Sequence, residues 1–268
     1  MSSRKKIAAF LFIPVFVICF ACVARFVRTK YVVPILMYHM VDPRAWRADA
    51  LTVSDRAFRR QMQFLRARRY NVIPLEEVAD LVKNKKPIPP KTVAITFDDG
   101  YRNSYTCAFP ILKEYRIPAT VFIIVNEVER ARGDRLSWIQ IREMRDSGLV
   151  TIGSHCLGPD PLTKINPEEA LRKEIVGSKN ILEEKLGISI HAFSYPEGMF
   201  TPRIRQLVIE AGYTLAVATN PGKAYPSDDV FALKRLRISE NCRNMFVFLV
   251  ESSGFYTWIK ESKRRHKR

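Results

Sequence analysis

Two adjacent carboxylates, Asp98 and Asp99, stand in the pentapeptide Thr96-Phe97-Asp98-Asp99-Gly100, directly after the apolar run Val93-Ala94-Ile95. Anions so close repel, and a cation, a proton or both must relieve the repulsion. A divalent metal held by one Asp, with the other left free as a base, does this and activates a water. The plainer alternative is a strand-end pair that caps a helix starting near Asn103. Three further polar clusters fall where strands are expected to end. These are His39 after Ile35-Leu36-Met37-Tyr38, His155 after Gly153-Ser154, and the segment Phe193-Ser194-Tyr195-Pro196-Glu197-Gly198.

The elements that would position these residues alternate along the chain. Apolar, β-branched runs predict strands over 32–38, 71–73, 93–97, 119–125, 150–153, 191–194, 214–218 and 233–238. Between them, apolar residues at helical spacing predict helices, the first capped by Ser54 with Phe58, Met62 and Leu65 on its inner face. Others run over 75–82, 103–115, 138–146, 167–186, 202–211 and 243–251, with Gly187 ending the longest. Residues 83–90 form a polar, proline-bearing connector. Such alternation means a parallel sheet with right-handed crossovers. Polar residues ending several successive strands favour a closed or nearly closed βα barrel over an open sheet.

The four clusters, with Leu233-Lys234-Arg235-Leu236-Arg237, resemble the polysaccharide deacetylases (carbohydrate esterase family four) from about Val33 to Ile238. The Thr-Phe-Asp-Asp-Gly motif is the most specific feature. Its pairing with an upstream Met-Tyr-His points to the branch acting on exported or envelope N-acetylated glycans. The resemblance implies a distorted parallel (β/α) barrel and a metal-dependent amidase of N-acetylhexosamine. It implies a divalent ion, zinc first, with cobalt or nickel as alternatives. By position, Asp98 would be the general base, Asp99 and His155 metal ligands, and His39 the group protonating the departing amine. Arg235 would hold Asp98 ionised. The backbone N–H of Glu197 would face the oxyanion, with Tyr195 and Tyr101 near the substrate.

The chain departs from the family pattern in three places, one of them Glu197, where the family usually carries an aromatic although a backbone donor survives the change. A second metal histidine is expected four residues after the first, and Pro159 stands there without a ligand atom. Asp160, one residue on, is the candidate replacement, which would give the set Asp99, His155 and Asp160. A position often filled by arginine holds Ser194, for which Arg235 is the candidate compensation. Two alternatives stay open: a glycan-binding or scaffolding protein on a barrel that has lost its metal, and a deacetylase or deformylase of a lipid-linked sugar.

With 268 residues and 47% hydrophobic content, one catalytic domain over 31–259 is expected. The net charge of +17 is concentrated at the ends, +6 in residues 1–30 and +5 in the tail 260–268. No zinc-finger spacing or helix-turn-helix cue accompanies it, so no nucleic-acid partner is expected. Anionic lipid or envelope phosphate fits better. Ile7 to Ala24, behind Arg4-Lys5-Lys6, is long enough for a signal-anchor helix. Its basic flanks are balanced, so orientation is not set by charge. The expectation is a single-pass membrane protein with the catalytic domain outside the cytoplasm. Cys107, Cys156 and Cys242 show no disulfide or metal spacing and read as structural.

Overall fold

The computed structural model describes residues 32–43, 51–130, 133–219, 229–254 and 256. The expected membrane segment 7–24 and the basic tail 260–268 lie outside these residues. Among the described residues no helix is long and apolar enough to cross a membrane.

Alternation along β5 (Thr92–Phe97) sorts its side chains onto two sides. Val93, Ile95 and Phe97 face the outer core between strands and helices, whereas Ala94 joins the inner core. The same sorting repeats around a ring of seven parallel strands: β1 (Ile35–Tyr38), β5, β6 (Ala119–Ile123), β7 (Val150–Ser154), β8 (Ala192–Ser194), β9 (Leu215–Ala218) and β10 (Leu233–Arg237). Strand β1 pairs with both β10 and β5, which closes the ring. The closure is uneven. Strands β7 and β8 share the single pair Ser154 and Phe193, and β9 and β10 share two. The expected distorted parallel barrel is therefore present.

The short strand expected over 71–73 is β4 (Asn71–Val72), which pairs with the first residues of β5. Two small features were not legible in the sequence. Strand β2 (Met40–Val41) pairs with β3 (Thr52–Val53) in a two-stranded sheet of its own. The helices expected over 103–115 and 167–186 each contain a π-turn, Ser104–Ala108 and Lys173–Gly177.

Helices surround the ring. Helix α1 (Asp55–Ala67) starts where the Ser54 hydroxyl accepts the Ala57 N–H at 3.3 Å, and it buries Phe58, Met62 and Leu65 as the spacing predicted. Helix α2 (Leu75–Lys83) crosses the lower mouth of the barrel. Its Leu75, Val78 and Ala79 pack with Val33, Ile35, Ala94 and Leu233 and plug that end. The rest are α3 (Phe109–Tyr115), α4 (Trp138–Asp146), α5 (Glu168–Arg172), α6 (Ser178–Leu186), α7 (Pro202–Glu210) and α8 (Met245–Glu251). Gly187 ends α6 in the left-handed conformation at φ 65°, and Asn244 caps α8 by accepting the Phe246 N–H.

Candidate active site

The strand ends opposite α2 carry the polar residues. Strand β1 lies between β5 and β10, so Asp98 at the end of β5 and Arg235 on β10 meet across it. The Asp98 N–H donates to the Tyr38 carbonyl at 3.0 Å, fixing the turn beside His39. Arg235 donates from Nη1 to Asp98 Oδ1 and from Nη2 to Oδ2, both at 2.6 Å. Both side chains are buried, each residue 3% exposed, and a two-pronged guanidinium contact is the geometry that can offset that burial. Burial alone would raise the Asp98 pKa. The charges of Arg235 and His155 outweigh it and bring it down to about 2.

Asp99 sits in the left-handed region at φ 68°, where a non-glycine residue is strained. A strap holds it there. Arg135 Nη1 donates to the Asp99 carbonyl at 2.8 Å, and the Leu136 N–H donates to the Gly100 carbonyl at 2.9 Å. The Arg135 guanidinium lies 4.1 Å over the Tyr101 ring. Buried Glu127 faces the other side of Arg135 at 3.5 Å. This bend turns the Asp99 carboxylate toward His155, with Oδ1 3.4 Å from Nε2. Asp98 Oδ2 is 3.9 Å from the same nitrogen.

His155 is oriented from behind. Its Nδ1 lies 2.7 Å from the Ser194 carbonyl, which can only accept, so Nδ1 carries the proton. Its Nε2 then faces two carboxylates. Burial opposes charging this ring, but the Asp98 and Asp99 carboxylates outweigh burial and raise its pKa. In Asp99, burial raises the pKa, and the contact with His155 prevails and lowers it. An imidazole fixed through Nδ1, with Nε2 beside a carboxylate, is a donor set that suits a divalent cation. Asp99 and His155 would be its ligands.

Asp160 does not join them. Among the described residues no group of three His, Cys, Asp or Glu side chains is placed to hold one ion. Glu174 Oε2 accepts the N–H groups of Leu157 and Gly158 at 3.0 and 2.9 Å and ties down the start of the loop after β7. Beyond that tie Pro159 and Asp160 are exposed to solvent. The described residues bring Asp99 and His155 together and leave Asp160 outside their cluster, unlike the expected three-ligand set.

His39 is 8% exposed, and its Nδ1 is a buried atom without a partner among the described residues. Burial is the main influence on its pKa and lowers it, against the pull of Asp98 and Asp99. Tyr101 is half-buried at the edge of the cluster. Glu197 is exposed at φ 55° in the turn Pro196–Gly198 that follows β8. Tyr195 needs a correction. It is fully buried, its hydroxyl donates to the Phe231 carbonyl at 3.1 Å, and its ring stacks on Phe200 at 4.2 Å. That side chain is core, not a substrate group.

Sequence reasoning missed three supporting residues. Ser194 serves twice, its carbonyl on His155 and its hydroxyl accepting Arg235 Nη2 at 2.9 Å. Arg235 therefore reaches the place where an arginine on β8 was expected, which accounts for the substitution there. Arg135 and Glu174 act through loops, and no local motif marks either.

Comparison with known proteins agrees with this geometry. A family model described as polysaccharide deacetylase matches residues 85–216. YxkH of Bacillus subtilis (strain 168), whose name assigns it to polysaccharide deacetylation, is 32% identical over 231 residues, covering 86% of this chain and 77% of that protein. The poly-β-1,6-N-acetyl-D-glucosamine N-deacetylase of Staphylococcus epidermidis is 28% identical, covering 78% of this chain and 72% of the relative. Among solved structures, Streptococcus pyogenes deacetylase PplD in complex with acetate superposes with a TM-score of 0.72 and 29% identity, over 80% of this chain and 96% of that one. A closed parallel barrel with two acidic residues and a histidine at its strand ends, matched along most of its length, places the chain in a family of hydrolases: it belongs to the polysaccharide deacetylases.

Proposed function

We propose that this protein is a metal-dependent deacetylase that cleaves the N-acetyl amide of N-acetylglucosamine units in an envelope or exported polysaccharide. The observation that carries the reading is the Asp98, Asp99 and His155 cluster, with Nε2 of His155 3.4 Å from one carboxylate and 3.9 Å from the other. The substrate class is supported by the S. epidermidis relative, which is named for poly-β-1,6-N-acetyl-D-glucosamine. Membrane attachment through residues 7–24, with the barrel outside the cytoplasm, is supported by the apolar length of that segment.

Asp98 is the base. Its carboxylate stays ionised at working pH because Arg235 grips both oxygens, and each oxygen keeps a second lone pair for a water proton. So acidic a group is a weak base, about 2 against an ordinary 3.8, and cannot deprotonate free water effectively. Asp99 and His155 would hold a divalent cation, which would supply the missing acidity by lowering the pKa of a bound water toward about 7. The water oxygen bonds to the acetamide carbon as Asp98 takes its proton, and that proton passes through His39 to the nitrogen as the C–N bond breaks. The products are acetate and a free amine. The backbone N–H of Glu197 is the proposed donor to the developing oxyanion.

The test is acetate release from β-1,6-linked N-acetylglucosamine oligomers by protein loaded with zinc, cobalt or nickel. Release should stop on chelation, return on adding metal back, and be absent in Asp99→Ala. Release that survives chelation would refute metal dependence. Pro159 favours a second reading, a metal-free glycan-binding barrel, which predicts oligomer binding with neither bound metal nor acetate.

A further inference from the structure

We propose that the lower face of the barrel, opposite the catalytic end, docks on an anionic phospholipid surface and points the site away from the bilayer. The inference rests on the membrane attachment proposed above and extends it to a specific surface. Between α2 and the starts of β1 and β10 lies a groove of about 200 Å³. Its walls are apolar, including Val33, Val82 and Leu233, and Lys85, Lys86 and Lys234 also line it. An apolar floor beneath lysines matches the order of acyl chain and phosphate at a lipid surface, where long basic side chains keep their heads in the polar layer.

Both chain ends arrive at this face. Val32 lines the groove, and its N–H donates to the Gly254 carbonyl at 3.1 Å, which ties the entry and exit of the domain together. Upstream, Arg25, Arg28 and Lys30 separate Val32 from the apolar segment ending at Ala24. Eight residue steps span that gap, so Val32 lies within roughly 30 Å of the segment's end even when the chain is fully extended. Downstream, residues 260–268 add six Lys and Arg against Glu261. Lys83, Lys85 and Lys86 are exposed at the C-terminal end of α2. The acids of α2, Glu76, Glu77 and Asp80, precede them in sequence, and Asp80 is engaged by Lys86 at 2.7 Å. The described lysines thus rim one apolar groove, and the basic segments upstream and downstream join the domain at Val32 and just beyond Gly254 on the same face.

The experiment is amine-reactive footprinting, read by mass spectrometry, of the full chain in two kinds of vesicle. One is phosphatidylcholine alone, the other phosphatidylcholine with about 30% phosphatidylglycerol. Flotation with both checks attachment. The expected result is at least threefold less labelling of Lys85 and Lys86 on the anionic vesicles, with Lys164 on the catalytic-end loop unchanged. Lys85→Glu with Lys86→Glu should abolish the protection of Lys83 and Lys234 and leave flotation intact. Equal labelling on both vesicles in a chain that floats overturns the docking face while attachment stands. Equal protection in detergent micelles overturns it in favour of a second copy of the chain. A chain that fails to float removes the premise and the proposal together.

Discussion

Arg235 and Asp98 meet across an intervening strand, two nitrogens on two oxygens at 2.6 Å, with both residues buried. Removing one partner leaves the other as an uncompensated buried charge. Arg235→Ala should cost about 3–5 kcal/mol in urea unfolding and lower kcat at least 100-fold, since Asp98 loses the charge that keeps it ionised. Arg235→Lys keeps the charge but not the planar fork, and should fall between.

Acid stability follows from the same pair. The Asp98 carboxyl titrates at about 2 when folded, below its ordinary 3.8, so the unfolded chain binds its proton more readily. Its contribution is complete above the ordinary value and disappears as pH falls through about 2. The window corresponds to about 2 kcal/mol. Asp98→Asn should flatten the decline of stability across that window, measured by denaturant melts at stepped pH. An unchanged slope would refute the ionised pair.

The two-ligand assignment separates two aspartates. Asp99→Ala should lose bound metal and all acetate release. Asp160→Ala, altering an exposed side chain outside the cluster, should keep metal content and stay within about twofold of the parent kcat. Loss of metal in Asp160→Ala would restore the three-ligand set.

Gly153 on β7 lies two residues before His155, which follows the strand. A Cβ there would meet two Phe122 ring carbons at 2.5 Å and the Ala192 carbonyl at 3.0 Å. Gly153→Ala should destabilise by about 1–3 kcal/mol and displace His155 enough to weaken metal binding. Calorimetry and metal titration measure the two effects.

Tyr195→Phe discriminates core from site. It removes the hydroxyl bond to Phe231, so stability should drop by about 1 kcal/mol while KM and kcat stay near the parent values. A large rise in KM would return Tyr195 to the substrate.

Much of this molecule was readable before any coordinates. Continuous apolar, β-branched runs located each strand of the ring, because a strand buried on both faces carries apolar residues throughout, and capped helical spacing located the helices between them. Asp98, Asp99 and His155 were readable because each follows a strand directly. The errors share a cause. Asp160 was placed by counting residues, and its loop is instead set by Glu174, sixteen and seventeen positions beyond the N–H groups it accepts. Tyr195 was placed by adjacency to a motif, although its side chain turns into the core beside Phe200. The Ser194 carbonyl holds His155 and the Asp99 carbonyl receives Arg135, and a bond to a backbone carbonyl leaves no trace in the type of residue that supplies it.

Strands β7 and β8 touch through one residue pair, and Ser194 beside that contact holds His155 with its carbonyl and Arg235 with its hydroxyl. The seam with a single paired residue on each side therefore carries the residue that orients both the His155 ring and the Arg235 guanidinium. A displacement of β8 by a fraction of an ångström would reach both at once, so under the proposed chemistry affinity for the ion and strength of the base would be tuned as one quantity.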